Sequence, residues 1–285
     1  MGKFKRCDGV ALKKIDPVFR LMPHIMPNRY DSEIMFDTEI SLEKLERFVL
    51  EMRRSGKIKG LKTVHVVAAA MVRTLSQRPR SNRFIMGRRI YARKHISMSL
   101  VVKRSLSIDS QEDTITPVFA PSSTLPDIVE KIEERITASI GNDTDAIAST
   151  LSKIPNFALA LIVDFLKFLD RWGLCPKSII EASPFHCSFF LTDIGSLGIA
   201  PVYHHIPDFG NTTVFIAMGK KETKCELDRD GTVKKKKYLP IRFVLDERVC
   251  DGFSNASAVK LFARIMSNPE VLMTPPETVV KDDWL

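Results

Sequence analysis

The chain has 285 residues, enough for one large domain or two small ones, and its 44% hydrophobic and 27% charged residues are typical of a soluble globular protein. Its longer apolar runs, at residues 64–72 and 157–168, are too short or too interrupted by charge to span a bilayer, so no membrane-spanning helix is expected from them. The net charge is +9, but no zinc finger, recognition helix or aromatic-rich RNA-binding pattern accompanies the basic residues, so we expect no nucleic-acid partner.

The first quarter of the chain predicts an arm, a strand and two helices. Residues 1–27 contain three prolines and are predicted to form an arm that lies on the body or on a neighbouring subunit. Apolar and polar residues alternate over 32–40, which predicts a strand. Ser41 is placed to cap a helix over 42–55, and a second, mostly buried helix is predicted over 64–77.

The middle of the chain predicts a hairpin, further strands and a long helix. Strands are expected over 84–91, with Gly87 at the turn between the hairpin arms, and over 96–102 and 115–119. Leu125–Ile140 carries isoleucines on one face and Glu-Lys pairs on the other, the pattern of an amphipathic helix.

The second half of the chain continues this mixture of helices and strands. Two helices, three strands and a closing helix are predicted in chain order: 146–152, 157–171, 186–192, 213–219, 239–245 and 252–266. Because these elements lack regular βαβ alternation, they favour an α/β or α+β sandwich with a largely antiparallel or mixed sheet over a Rossmann unit. The fold class we predict is α/β, a two-layer sandwich of helices on a mixed, largely antiparallel sheet.

Cysteine spacing and the N-terminus bear on the cellular compartment. The five cysteines have no paired spacing of the metal-binding kind, and no set of His, Cys and carboxylate residues has metal-ligand spacing, so we expect no metal. No apolar signal-peptide core follows the basic N-terminus, and Arg6 stands where a myristoylation motif needs Ser or Thr. We expect a reduced, cytoplasmic protein that does not bind membranes.

Basic residues cluster in two places, at 87–94 and 234–237. Each cluster is interpreted as a solvated loop or strand edge, where lysines also discourage mispairing of strands. The alternative is an anion site, for nucleic acid or for a phosphorylated cofactor.

One stretch near the C-terminus carries a family resemblance. The sequence LDERVCDGF at 245–253 resembles the H-x-x-x-D-G-[FA] segment of chloramphenicol acetyltransferase and of the acyltransferase component of 2-oxoacid dehydrogenase complexes. Other segments are similar to that superfamily in the same order: RPRSNRF at 78–84, TPV at 116–118 and SFFLTDIGSLGI at 188–199. The likeness covers residues 25–272.

The resemblance implies the chloramphenicol acetyltransferase-like fold and a homotrimer with active sites at the subunit interfaces. In the family, coenzyme A and a small-molecule acyl acceptor enter a channel from opposite ends. The implied division is an arm over 1–27, an acyltransferase domain over 28–273 and a tail over 274–285. No lipoyl or subunit-binding module is visible in the sequence, so we expect a stand-alone domain with a layout closer to that of chloramphenicol acetyltransferase.

Glu247 takes the place of the family's general-base histidine. Imidazole is an effective base near neutral pH, whereas an ordinary carboxylate with a pKa of about 4.3 is a far weaker base towards a thiol. Burial in the channel would raise the pKa of a carboxyl group and restore basicity. Two hypotheses therefore stand: a coenzyme A-dependent acyltransferase with weakened or altered catalysis, or a non-catalytic trimeric binding or scaffold protein.

The resemblance assigns roles to four further residues. Thr192 matches a hydroxyl that donates a hydrogen bond to the tetrahedral oxyanion, with a local backbone bond at a strand end as the alternative. Asp251 matches a structural carboxylate, and Arg29 is its candidate partner. Gly252 is interpreted as needed for close packing at the start of the last helix.

Histidine and cysteine residues are further candidates for a catalytic role. His204 and His205 are adjacent, so in a strand only one could point into a channel, and surface or packing roles are expected for them. Cys250 is expected to be a buried, inert thiol.

Overall fold

The computed structural model describes residues 6–103, 112–140, 154–228 and 230–283. The strands are β1 (Gly9–Ala11), β2 (Glu33–Ser41), β3 (Arg83–Met86), β4 (Arg89–Arg93), β5 (Ile96–Lys103), β6 (Glu112–Ile115), β7 (Val118–Phe119), β8 (Phe189–Asp193), β9 (Val214–Met218), β10 (Glu222–Leu227) and β11 (Val233–Asp246). The α-helices within these ranges are α1 (Pro17–Ile25), α2 (Leu42–Arg54), α3 (Thr63–Gln77), α4 (Leu125–Ile140), α5 (Asn156–Arg171), α6 (Lys177–Ala182) and α7 (Gly252–Ser267).

Eight strands form one mixed sheet. Its order is β10-β11-β9-β8-β5-β6, with β2 also paired to β11 and β7 to β5, while β1, β4 and β3 form a separate small sheet. The β5–β8 and β8–β9 contacts are parallel, and the other strand pairs are antiparallel. Side chains from the sheet and from α2, α3, α4 and α7 share one hydrophobic core. The predicted two-layer α/β sandwich with a mixed, largely antiparallel sheet is confirmed.

The central strands β8 and β9 are covered on both faces. Every residue of β9 is buried, as are the first three residues of β8, which is why both strands are continuous apolar runs. On the face away from the helices, Phe190 stacks on Phe215 with ring centroids 5.4 Å apart, and Ile206 of the following loop packs there too.

Helix α3 lies in the core along nearly its whole length. Residues from His65 to Ser76 are buried, which confirms the predicted buried helix. His65 is 1% exposed; the backbone amide of Lys62 donates to its Nδ1 over 3.3 Å, and its Nε2 lies 3.4 Å from an oxygen of Glu133. Burial, together with the charges of Lys62 and Arg53, lowers the pKa of His65 to about 4.

This depressed pKa predicts a loss of stability in mild acid. An unfolded histidine titrates near pH 6.5, so between about pH 6.5 and 4 the unfolded chain binds a proton that the folded chain does not, and stability falls as pH drops. We expect His65→Gln to remove most of this dependence, worth at most about 3 kcal/mol. The free energy of unfolding of wild type and of His65→Gln, measured with urea at pH 7 and 4.5, gives this pH dependence. The exposed His24→Gln is the control. An equal loss in wild type and His65→Gln would contradict the assignment.

Four described elements lie outside the sequence-based predictions: β1, α1, α6 and β10. Helix α1 contains Pro23 in its interior but is started by Asp16, whose carboxylate accepts from the amide of Val18 over 2.9 Å. Strand β10 is a mostly polar edge strand with alternating exposure. The helix predicted over 146–152 lies outside the described residues.

The basic cluster at 234–237 belongs to the β10–β11 hairpin. Lys236 pairs with Glu226 at 2.9 Å, and Lys234 pairs with Asp228. These exposed ion pairs confirm the interpretation of this cluster as a solvated strand edge.

The N-terminal segment is fastened to the body by a buried ion-pair network. Arg6 is 2% exposed; its Nε and Nη2 each donate to Asp8 over 2.8 Å, and its Nη1 donates to Asp170 at the end of α5 over 2.6 Å. The other oxygen of Asp170 lies 3.0 Å from Nε2 of His186, whose Nδ1 lies 2.8 Å from the hydroxyl of Ser183. One network therefore joins the chain's beginning to the end of α5 and the loop before β8.

The C-terminal segment is held in a similar way. Arg83 at the start of β3 is 0% exposed and donates two hydrogen bonds to Asp282, over 2.6 and 2.7 Å. The backbone amide of Val280 donates to Ser76 over 3.1 Å. Among the described residues, no helix is both long and apolar enough to cross a membrane.

Candidate active site

The turn that carries Glu247 is held by a buried ion pair. Strand β11 ends at Asp246, and a 3-10 turn over Glu247–Val249 leads towards α7. Asp246 accepts from Nε and Nη2 of Arg248 over 2.8 and 2.7 Å and from the Arg248 amide over 3.1 Å. Arg248 also donates to the carbonyls of Met26 and Pro27 over 2.9 and 3.2 Å. The turn is thus fixed on both sides.

Glu247 is half-buried on this turn. Its neighbour Arg248 pairs with Asp246 instead of with Glu247. In the described part of the chain, no cationic nitrogen lies within 4.0 Å of the Glu247 carboxylate. The carboxylate is therefore not committed to an internal ion pair.

The expected pair between Arg29 and Asp251 is not formed. Asp251 caps α7: its carboxylate accepts from the Ser254 amide over 2.6 Å and from the Ser254 hydroxyl over 3.0 Å, and Arg80 lies 3.8 Å away. Burial raises the pKa of Asp251, but the hydrogen bonds from Ser254 outweigh it and hold that pKa below its usual value. The prediction was wrong because the helix terminus takes up the carboxylate.

Arg29 is buried and donates to backbone carbonyls. Nη1 donates to Asp208 over 2.7 Å and to Pro207 over 3.2 Å, and Nη2 donates to Gly210 over 2.5 Å. The guanidinium therefore holds the loop before β9 against the segment before β2. Arg29 supports the site's surroundings and does not contact the α7 terminus.

Gly252 was expected to allow close packing at the start of α7, and this prediction was also wrong. A Cβ atom placed there would contact nothing within 4 Å among the described residues. The residue is exposed.

Thr192 is half-buried near the end of β8 and pairs with Ala217 of β9. Just beyond it, Gly195 is pressed against the backbone of the next strand's end: a Cβ there would lie 2.3 Å from the carbonyl oxygen of Gly219. The turn after Thr192 therefore depends on glycine.

Strand register separates Thr192 from Glu247 within one chain. Leu245 is level with Val214 of β9, and Val214 is level with Phe189 of β8. From Leu245, Thr192 is therefore displaced by two strand spacings of about 4.8 Å across the sheet and by three residues, about 10 Å, along β8. The two side chains therefore do not meet within a single chain.

The two adjacent histidines pack and do not face opposite ways. Residues 201–207 form a loop and not a strand. The His204 ring stacks on Phe215 with centroids 4.1 Å apart, and His205 stacks on His204 at 4.7 Å. The expected packing role of His204 is confirmed, and the strand geometry assumed for the pair was wrong.

Cys250 is buried beside the turn, with its thiol donating to Asn255 over 3.0 Å. Burial raises its pKa to about 12. The thiol therefore stays protonated near neutral pH, as expected of an inert cysteine.

A cavity of about 350 Å³ lies beside the turn, between α1, the β3–β4 hairpin, α5 and the loop before β9. Arg248 and Arg29 reach its wall, as do Arg88, Lys167 and Arg171. Sequence reasoning missed this cavity, although Arg88 belongs to the basic cluster at 87–94. Among the described residues, no group of three or more His, Cys, Asp or Glu side chains could hold a metal ion.

No family profile matches the sequence, and no curated protein sequence matches it. Among solved structures, the chain is similar to the cubic core of the pyruvate dehydrogenase multienzyme complex, at 14% identity and a TM-score of 0.53 over 91% of this chain and 93% of that one. It is similar to a probable dihydrolipoamide acetyltransferase from Listeria monocytogenes, at 12% identity and a TM-score of 0.56 over 94% and 97%. It is also similar to a chloramphenicol acetyltransferase, at 11% identity and a TM-score of 0.50 over 91% and 98%. The predicted chloramphenicol acetyltransferase-like fold is confirmed.

Proposed function

We propose that this chain, which has the chloramphenicol acetyltransferase-like fold, is a coenzyme A-dependent acyltransferase that moves an acyl group between acyl-coenzyme A and a small acceptor. The observation that carries the proposal is the turn at the end of β11. That turn is fixed by the Asp246–Arg248 pair, and it carries Glu247, the residue that matches the family's general base in the sequence motif and has no cationic partner within 4.0 Å among the described residues.

Glu247 is the proposed general base. Its carboxylate takes the proton from the acceptor's nucleophilic group as that group attacks the thioester carbonyl. The tetrahedral intermediate then collapses, and the same carboxyl returns the proton to the leaving thiolate of coenzyme A. Thr192 is the proposed donor to the oxyanion, and such a preorganised donor lowers the activation barrier by about 2.7–4 kcal/mol. Asp251 supports this site by capping α7.

A homotrimer is proposed as the assembly that completes the site. Because Thr192 and Glu247 are separated by the register of β8, β9 and β11, a site that uses both residues takes one of them from a neighbouring subunit. The fold relatives include a protein described as a cubic core of a multienzyme complex, so this fold is compatible with symmetric assembly.

The second candidate is a non-catalytic trimeric scaffold that keeps the fold. The observation that favours it is the carboxylate itself, since an imidazole has the more suitable pKa for this step. Both candidates share the fold and differ in whether Glu247 moves a proton.

Binding of coenzyme A tests the proposed function. A ligand that binds only the native state at 100 times its dissociation constant stabilises it by about 2.7 kcal/mol, which for a domain of this size is a rise in melting temperature of about 5–10 °C. We expect this rise with coenzyme A or acetyl-coenzyme A in thermal unfolding. ATP at the same concentration is the control for attraction between a polyanion and this basic chain. No rise, or an equal rise with ATP, would contradict the proposal.

A further inference from the structure

The cavity beside the Glu247 turn carries an excess of positive charge. Five cationic side chains and two carboxylates line it: Arg29, Arg88, Lys167, Arg171, Arg248, Asp170 and Asp208. Several of these groups already form ion pairs or hydrogen bonds with other residues of the protein, so the net charge that a ligand meets depends on which groups remain unpaired.

Both carboxylates and one arginine are engaged. Asp170 binds Arg6 and His186, and an oxygen of Asp208 accepts from the backbone amide of Arg29 over 3.3 Å. Arg248 is paired with Asp246. The charge left to compensate in the cavity is therefore positive.

Four cations of the cavity have no carboxylate partner among residues 6–103, 112–140, 154–228 and 230–283 at the 4.0 Å limit for an ion pair. They are Arg29, Arg88, Lys167 and Arg171. Arg29 differs from the others in being 4% exposed. Its guanidinium donates to backbone carbonyl groups, and the cavity wall beside it includes Phe209 and Pro23; in such surroundings a charge interacts more strongly with a bound ion than it would in water.

Arg29 also has an unused donor. Its Nη atoms donate to carbonyls, but its buried Nε has no hydrogen-bond partner. A buried N–H group without a partner costs about 1–3 kcal/mol. Because the Nη donors are used on carbonyls and the Nε is buried, Arg29 acts on a ligand in the cavity through its positive charge, which Asp208 and Asp246 offset only in part.

The exposed cations are held near one another by a close backbone contact. Gly87 and Arg88 form the β3–β4 turn with positive φ angles of 58° and 62°. A Cβ at Gly87 would lie 2.4 Å from the carbonyl oxygen of Arg171. The hairpin turn therefore rests directly on the end of α5, and Lys167 lies one helical turn before Arg171.

We propose that this cavity binds the anionic group, a carboxylate or a phosphate, of the acyl acceptor. The ligand's negative group lies near Arg29, with Lys167, Arg171 and Arg88 around the mouth, and the cavity wall includes Arg248, the residue next to Glu247 in sequence. That the ligand is an acceptor rests on the proposed acyltransferase function; the anion site itself does not.

Titration with inorganic phosphate and, separately, with succinate tests the site and distinguishes a phosphate from a carboxylate ligand. Binding is followed by the melting temperature at constant ionic strength, set with chloride and without coenzyme A. We expect saturable binding of at least one of the two, weakened at least tenfold in the double variant Lys167→Gln/Arg171→Gln.

The matched control is Lys260→Gln/Arg264→Gln, which removes the same two charges at the same spacing from exposed positions on α7. We expect it to bind within twofold of wild type. Equal weakening in both double variants, or no saturable binding of either anion, would overturn the anion site.

Competition separates this proposal from the acyltransferase proposal. If the cavity serves the acceptor, coenzyme A and the bound anion should bind together without competing. Mutually exclusive binding would mean that the cavity takes a phosphate of coenzyme A and would overturn the acceptor assignment. If phosphate binds but coenzyme A does not raise the melting temperature, the anion site is supported and the acyltransferase proposal is rejected.

Discussion

Replacing Glu247 with alanine is expected to lower the rate of acyl transfer by about 10²–10⁴-fold, the contribution typical of a positioned general base. The fold should survive, because the turn is held by Asp246 and Arg248 and not by Glu247. The measurement is release of the coenzyme A thiol from acetyl-coenzyme A with a panel of acceptors. Glu247→Gln, which keeps the size of the side chain and removes its basicity, should lose as much.

Glu247→His completes this series. An imidazole on the same turn should give a rate that rises with pH through about 6.5. The matched control is Glu270→Ala, an exposed carboxylate on another segment, which should behave as wild type. Unchanged turnover in Glu247→Ala and Glu247→Gln would reject the proton-transfer role and favour the scaffold.

The second large effect is expected on stability, from Arg6→Met. This change leaves Asp8 and Asp170 buried without their shared cation, and breaking a buried pair in this way costs about 3–5 kcal/mol. Urea unfolding at pH 7 measures it. Arg20→Met, at an exposed position of α1, is the control and should change little. A loss no greater than that of Arg20→Met would show that the network contributes nothing to stability.

The effect of Arg6→Met on stability is expected to depend on pH. Burial raises the pKa values of Asp8 and Asp170, but for Asp8 the hydrogen bonds and charge of Arg6, and for Asp170 the hydrogen bonds of His186 and Arg6, outweigh burial and lower both pKa values below that of an ordinary aspartate. A carboxylate with a depressed folded pKa stabilises the protein above its unfolded pKa and loses this effect as pH falls through the folded pKa. The gap between wild type and Arg6→Met should therefore narrow in acid.

Local patterns predicted the elements whose own apolar spacing defines them. Helix α4 has the predicted bounds, Leu125–Ile140, because isoleucines such as Ile128 and Ile132 recur on its buried face. Strand β10 was missed because it is a polar edge strand held by its pairing with β11, and pairing across the sheet leaves little trace in the strand's own residues.

The candidate site likewise contains parts that the sequence predicted and parts that it did not. The position of Glu247 came from a contiguous motif, and the turn that holds it is made by its immediate neighbours Asp246 and Arg248. The partner of Asp251 was not predictable from the motif, since Ser254 three residues on competes for that carboxylate. The cavity combines residues from five separate segments, and no single stretch of sequence brings them together.

Both ends of the described chain are fastened to the β3–β4 hairpin. The guanidinium of Arg6 lies over the Phe84 ring, 5.4 Å from its centroid, and next to Phe84 in sequence Arg83 binds Asp282. Detaching either of these two segments must therefore expose a buried charge, which couples their loosening to global unfolding.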